Sequence, residues 1–150
     1  LESSEPDVMH RPPRRPDAAI LDRPALLHVG WMGVFIAFAS LLLAGIWHRY
    51  GLGGGEWQTV LFSAIGFAQI GQAWGLRSLT DRPFRFGRNP ALAGLTLLTL
   101  VLQLGVIYVP ALAKAFRLVP LSRAGLAATA ALGALTFVLV HVERRRARKQ

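Results

Sequence analysis

Cysteine is absent from this sequence of 150 residues, and charged residues make up only 17% of it. The lack of thiols excludes disulfides, thiolate metal sites and a redox-active cysteine pair. Ordinary soluble domains contain about 25% charged residues, so this deficit already points away from a water-soluble fold. The deficit is concentrated, because no Asp, Glu, Lys or Arg occurs in the stretches 24–48, 57–76, 89–113 and 124–142.

Each of these stretches is long enough to cross a bilayer, which needs about 20 apolar residues at about 1.5 Å per residue. A helix on the surface of a soluble protein would carry a charged face instead. The sequence therefore predicts an all-α membrane protein, a bundle of four transmembrane helices that fills residues 24–142. A segment rich in Pro and Arg (1–23) precedes the bundle, and a basic tail (143–150) follows it.

Basic residues are distributed unequally between the two sides of the predicted membrane. Residues 1–23, the connection 77–88 and the tail contain four, four and five Lys or Arg, whereas the other side has Arg49, Lys114, Arg117 and Arg123. Cytoplasmic loops are enriched in Lys and Arg, so we expect both termini in the cytoplasm. This placement also explains the net charge of +9 without a nucleic-acid partner, and favours membrane lipid as the neighbour of the basic segments.

All eight carboxylates lie outside the four spans or at their edge. Intramembrane carboxylates are the usual ligands and proton carriers of cation transport, so this chain alone lacks a strong cation site. Amide oxygens can still bind a hard cation, and Gln69, near the middle of the second span, is best placed for that. From the residues alone, an interhelical hydrogen bond is the favoured role of Gln69, with cation binding as the alternative, and packing is also the favoured role of Gln72 and Gln103. Because a buried amide in lipid needs a partner, we expect Gln69 to face the interior of the bundle.

Small residues recur at four-residue spacing in the second and fourth spans. Gly71 and Gly75 form one pair, and Gly125, Thr129 and Gly133 form a stripe. Such spacing places the residues on one helix face and lets a neighbouring helix approach closely. We expect these positions to be helix contacts.

Two further signals concern helix ends, since Pro110 terminates the third helix and Ser122 is a suitable N-cap for the fourth.

Catalytic motifs are missing from the sequence. The glycine-rich connection 49–56 lacks the Lys and Ser/Thr of a phosphate-binding loop, and the four histidines form no spaced metal pair. We therefore expect no catalytic residue and no cofactor within this chain.

Three motifs, in order, resemble a known family. They are PDVMHRPPRRP at the start, AQIGQAWGLRS at the end of the second span, and LQLGVIYVPAL with VPLS after the third. Together they resemble the C-terminal membrane domain of P-type cation-transporting ATPases, most closely the calcium-pump-like bacterial branch. The resemblance covers nearly the whole chain and makes its spans helices seven to ten of a ten-helix pump.

The resemblance implies a role that this chain cannot fill alone. Pumps of this family hydrolyse ATP with Mg²⁺ through an aspartate in a DKTGT motif, which is absent here. ATP and Mg²⁺ are thus implied for a complete pump, whose remaining helices and cytoplasmic domains would be the partners of this chain in a bacterial plasma membrane. The resemblance also places Gln69 where two-site calcium pumps have an acidic ligand, while single-site pumps resemble this chain in having Gln.

Two other classes of function stay open at this point. The chain could be a free-standing four-helix membrane protein that assembles with or regulates a partner. A small membrane enzyme with catalytic residues in its loops is the third class, and the scarcity of loop histidines and carboxylate clusters counts against it. We expect the sequence to be part of a longer pump, because it begins with Leu1 and resembles only a C-terminal region.

Overall fold

The computed structural model describes residues 23–77 and 90–147, and every regular element in these two ranges is helical. The long helices are α1 (Arg23–Tyr50), α2 (Trp57–Arg77), α3 (Pro90–Tyr108) and α5 (Arg123–Ala147), and the short helix α4 spans Pro110–Phe116. Most of the predicted segment 1–23 and the connection between the second and third spans lie outside the described residues. The basic tail is described only as far as 147, where it continues α5.

Within the described residues, three helices are long and apolar enough to cross a membrane, over Leu26–Tyr50, Pro90–Tyr108 and Arg123–Glu143. Helix α2 has 21 residues, a sufficient length, but its glutamines, threonine, serine and glycines make it less apolar than these three spans. Helix α2 is therefore the membrane-length helix with the most side-chain amides available for binding or for contacts between helices.

The turn between α1 and α2 is built from glycines. Gly51, Gly54 and Gly55 all have positive φ (59°, 63° and 99°), and a 3-10 turn spans Leu52–Gly55. Residues with a Cβ rarely adopt this backbone, so the glycine-rich sequence is what lets the chain reverse within a few residues. The reversal makes α1 and α2 an antiparallel hairpin.

A break at Val109 separates α3 from α4, so the predicted third span (89–113) is not one continuous helix. Pro110 has no backbone N–H and occupies the first turn of α4, behind the extended Val109. Helix α4 then ends at Phe116 and is capped by Arg117, which has a left-handed φ of 54° and donates its backbone N–H to the carbonyl of Lys114. The membrane-length helix α3 therefore ends at Tyr108, and α4 is a separate short helix.

Helix α2 lies at the centre of the described helices, packing most extensively on α5, next on α1 and lightly on α3. Two apolar clusters hold this arrangement. One joins Ile36 of α1, Ala64 and Ala68 of α2, and Leu132 of α5. The other lies nearer the hairpin turn and consists of Trp47, Val60, Ile107 and Leu121.

Candidate functional site

One face of α2 is a glycine face directed at α5. A Cβ atom built on Gly71 would overlap the carbonyl oxygen of Gly133, and one built on Gly75 would lie 2.7 Å from the Cβ of Val140. From the other side, a Cβ on Gly133 would lie 2.7 Å from the carbonyl oxygen of Phe67. The two helices thus meet backbone to backbone, and no side chain fits between them at this crossing.

The stripe on α5 continues toward the hairpin turn through Thr129 and Gly125. Thr129 is fully buried, and its hydroxyl lies 3.0 Å from the carbonyl oxygens of both Gly125 and Leu126 on its own helix. Because the hydroxyl is satisfied locally, Thr129 presents its methyl group to the neighbours and behaves as a small residue. All five predicted small positions lie in buried parts of the helix contacts.

Gln103 of α3 reaches across to α2. Its Nε2 donates to the carbonyl oxygen of Ser63 at 3.2 Å, and the side chain is 7% exposed. Gly66 provides the space, because a Cβ there would overlap the amide of Gln103. A second polar contact, from Trp74 Nε1 to the hydroxyl of Thr96 at 2.9 Å, lies further along the same pair of helices. Helices α2 and α3 are therefore joined by polar side chains.

The prediction that Gln69 faces the interior of this bundle is wrong. Gln69 lies exposed on α2, in line with Phe62, Ile65 and Ala73, which are exposed too. The cause is helix geometry, because Gln69 and Gly71 are two positions apart and so point about 200° away from each other. The glycine face is taken by α5, which turns Gln69 outward. We call the exposed residues Phe62, Ile65, Gln69 and Ala73 the open face of α2.

Gln72 is only half-buried and lies at the edge of the open face, about 60° around the helix from Gln69. The open face is thus a mostly apolar strip with one amide near its middle. The described neighbours α1, α3 and α5 leave this side of α2 uncovered. An amide in such a position is chemically able to accept or donate a hydrogen bond, or to offer its oxygen to a cation.

A buried carboxylate escaped the sequence analysis. Glu56, just before α2, is 1% exposed and accepts hydrogen bonds from Trp47 Nε1 (2.8 Å), the Ser122 hydroxyl (2.6 Å) and the Ser122 backbone N–H. Ser122 also caps α5 as predicted, accepting from the N–H of Gly125 at 3.0 Å. Glu56 had a signal in the sequence, since it is the single carboxylate on its predicted side of the membrane, the side that also has Arg49, Lys114, Arg117 and Arg123.

Histidines contribute contacts at both ends of the helices. His28 Nδ1 lies 3.2 Å from Glu143 Oε1, which links the start of α1 to the end of α5. His48 packs edge-on against Trp57, and His141 stacks on Phe137. In the part of the chain that the structure describes, no three His, Asp or Glu side chains gather in a way that could hold a metal ion.

The chain is similar to cation-transporting ATPases in two separate comparisons. The family model described as "Cation transporting ATPase, C-terminus" matches residues 1–146. The chain is also 32% identical, over 127 residues, to the calcium-transporting ATPase of Bacillus subtilis (strain 168). That match covers 81% of this chain and 14% of the relative, so the chain corresponds to a small part of the length of that protein.

Proposed function

We propose, from the premise that this chain belongs to the family of C-terminal domains of cation-transporting ATPases, that it is the membrane-spanning C-terminal part of an ATP-driven cation pump. The similar Bacillus protein is named for calcium, and we propose a calcium-type cation here as well. ATP and Mg²⁺ would be bound by other parts of the pump. Within the pump, the chain would serve as a scaffold for the helices that bind the cation.

The proposal includes a topology with four spans in a bacterial plasma membrane. In this proposal helix α2 is the fourth span, because its 21 residues reach about 31 Å and its glycine face is covered by α5. The excess of basic residues on one side supports cytoplasmic termini. Reporter fusions after Gly51 and after Gln150 should then report opposite sides of the membrane, and a shared side would contradict the topology.

The open face of α2 is the observation that carries the scaffold role. Lipid tails offer no hydrogen bond, so an exposed amide in the middle of a span costs free energy unless protein covers it. Gln69 is such an amide, and the described helices of this chain leave it uncovered. We propose that the remaining helices of the pump pack on the open face.

Gln69 would then lie at the boundary between this domain and the rest of the transport path. Its amide oxygen is a neutral ligand suited to a hard cation, and adjoining helices would supply the charged ligands that this chain lacks. Gln69 is thus proposed as a contributor to a cation site, while Gln103 is proposed as a packing residue.

The experiment compares two amides in the complete transporter. Gln69→Ala should raise the cation concentration for half-maximal phosphorylation about three- to tenfold, a loss of about 0.7–1.4 kcal/mol of binding free energy. Gln69→Glu should lower that concentration, because a charged ligand binds a divalent cation more tightly. Gln103→Ala is the matched control, with an unchanged midpoint.

An unchanged midpoint in both Gln69 variants would refute the ligand role. Equal shifts in the Gln69→Ala and Gln103→Ala variants would refute it too, since both would then report general damage to the helix packing.

A further inference from the structure

The carboxylate of Glu56 is built into the junction of three helices. Trp47 belongs to the last turns of α1, Glu56 directly precedes α2, and Ser122 directly precedes α5. A further bond ties the same region together, from the backbone N–H of Val119 to the Thr59 hydroxyl at 3.0 Å. We call the group Trp47, Glu56 and Ser122 the carboxylate latch.

Glu56 is the acceptor of every hydrogen bond within the latch. The indole N–H, the Ser122 hydroxyl and the Ser122 backbone N–H each donate to Glu56. The Ser122 hydroxyl uses its remaining capacity to accept from Gly125. The latch therefore suits a carboxylate that accepts three bonds, and an amide of the same shape would turn a donor toward at least one of these donors.

Electrostatics favour a negative charge at this place. The first N–H groups of a helix lack partners within the helix, and the helix dipole makes that end partially positive. The carboxylate of Glu56 lies beside the start of α5, where it accepts from the backbone N–H of Ser122. Gly125 keeps the space open, because a Cβ there would lie 2.8 Å from Glu56 Oε1.

The latch also fixes the position of α5 along the axis of α2. One end of the α2–α5 contact is the latch, and the other includes the crossing of Gly71 and Gly133, about 22 Å away along α2. A shift of α5 by one residue would move Ser122 away from Glu56 and bring side chains into the glycine crossing. Two distant points therefore fix a single alignment of the two helices.

We propose that Glu56 is a positioning residue for cation binding, which aligns α5 on α2 and thereby holds the open face of α2 in the orientation needed by its partner helices. The proposal rests on the proposed function, since it assigns Glu56 an effect on the cation site that the open face would help to form. Glu56 itself lies too far from Gln69 to touch the same ion, because 13 residues of helix separate them by about 20 Å.

The test measures local structure and cation affinity separately in the complete transporter. In Glu56→Gln, amide hydrogen exchange over residues 122–126 should become about tenfold faster, because the charge-assisted bonds from Ser122 to Glu56, which anchor the start of α5, are lost. The cation concentration for half-maximal phosphorylation should rise about threefold, with the maximal level of phosphorylation per folded protein nearly unchanged. Glu143→Gln removes the carboxylate that contacts His28 and is the control, with both quantities unchanged.

A milder pair of variants keeps the test decisive if Glu56→Gln does not fold. Ser122→Ala removes one bond to Glu56 and the cap of Gly125, and it should shift both quantities in the same direction by a smaller factor. Ser122→Thr retains the hydroxyl and should restore both to the original values.

Three results would overturn the proposal. Unchanged exchange over 122–126 in both Glu56→Gln and Ser122→Ala would show that the latch does not hold α5. Faster exchange with an unchanged cation midpoint would show a local structural role without positioning. Absence of cation-dependent phosphorylation in the unaltered protein would refute the proposed function and the positioning role together, while faster exchange in the variants would still demonstrate the latch.

Discussion

Helix α2 meets its neighbours in two different ways. Against α5 it presents glycines, so that Gly71 and Gly133 bring two backbones together. Against α3 it accepts polar side chains, with Gln103 bonded to the carbonyl of Ser63 and Trp74 bonded to Thr96. The first contact consists of rigid backbone, and the second of side chains that can change rotamer.

This difference suggests a division of roles in the domain. A backbone contact cannot yield without moving a whole helix, so α2 and α5 should behave as one rigid unit. A contact made by the ends of flexible side chains tolerates small displacements at the cost of a hydrogen bond. Helix α3 should therefore be the more independent of the two neighbours, and the following substitutions test that order.

The largest effect is expected at the glycine crossing. Gly71→Ala places a methyl group against the backbone of Gly133 and should lower the free energy of unfolding by about 1–3 kcal/mol. Gly45→Ala in α1 is the matched control, because a Cβ there meets no atom of another described helix within 4 Å. It should be neutral or stabilise by up to about 1 kcal/mol. Unfolding in detergent measures both, and equal costs would contradict a rigid crossing.

An intermediate effect is expected at Gly66, where the added methyl group meets a side chain. In Gly66→Ala the amide of Gln103 can swing away, so the cost should be about 0.6 kcal/mol, the value of a typical hydrogen bond within a membrane. The same unfolding assay applies to the double variant with Gln103→Ala. There, the alanine at 66 should add almost nothing to the cost of losing Gln103. A cost for Gly66→Ala as large as that for Gly71→Ala would show that α3 is as rigidly held as α5.

The smallest effect is expected at the outer polar contact. Thr96→Val removes the acceptor of the Trp74 indole while keeping the shape of the side chain. Because this contact is only partly buried, the loss should stay below about 0.6 kcal/mol. Indole fluorescence and unfolding of the variant would check this, and a loss above that of Gly66→Ala would reverse the proposed order.

Local signals in the sequence predicted much of the framework. The uncharged stretches predicted the positions of α1, α2 and α5, the lack of an N–H on Pro110 predicted where the third helix ends, and Ser122 was recognised as a cap. These features depend on a few neighbouring residues. The spacing of glycines likewise indicated a close helix contact, although it named no partner.

Features that depend on the packing of distant residues were not predicted correctly. Gln69 was expected inside the bundle, yet the glycine face took that position and turned Gln69 outward. Glu56 looked like an ordinary loop carboxylate, and its partners Trp47 and Ser122 lie 9 and 66 positions away along the chain. Polarity alone shows that a side chain needs a partner, and only the packing shows where that partner is.

The most direct test of the account asks what covers the open face of α2. A photoreactive phenylalanine analogue at position 69 of the intact transporter should cross-link to protein outside residues 1–150. The same probe in place of the half-buried Phe67, which faces Gly133, should cross-link to α5 and serves as the positive control. Cross-links from position 69 to lipid alone, or only to helices within this chain, would contradict the claim that the open face docks on the rest of a pump.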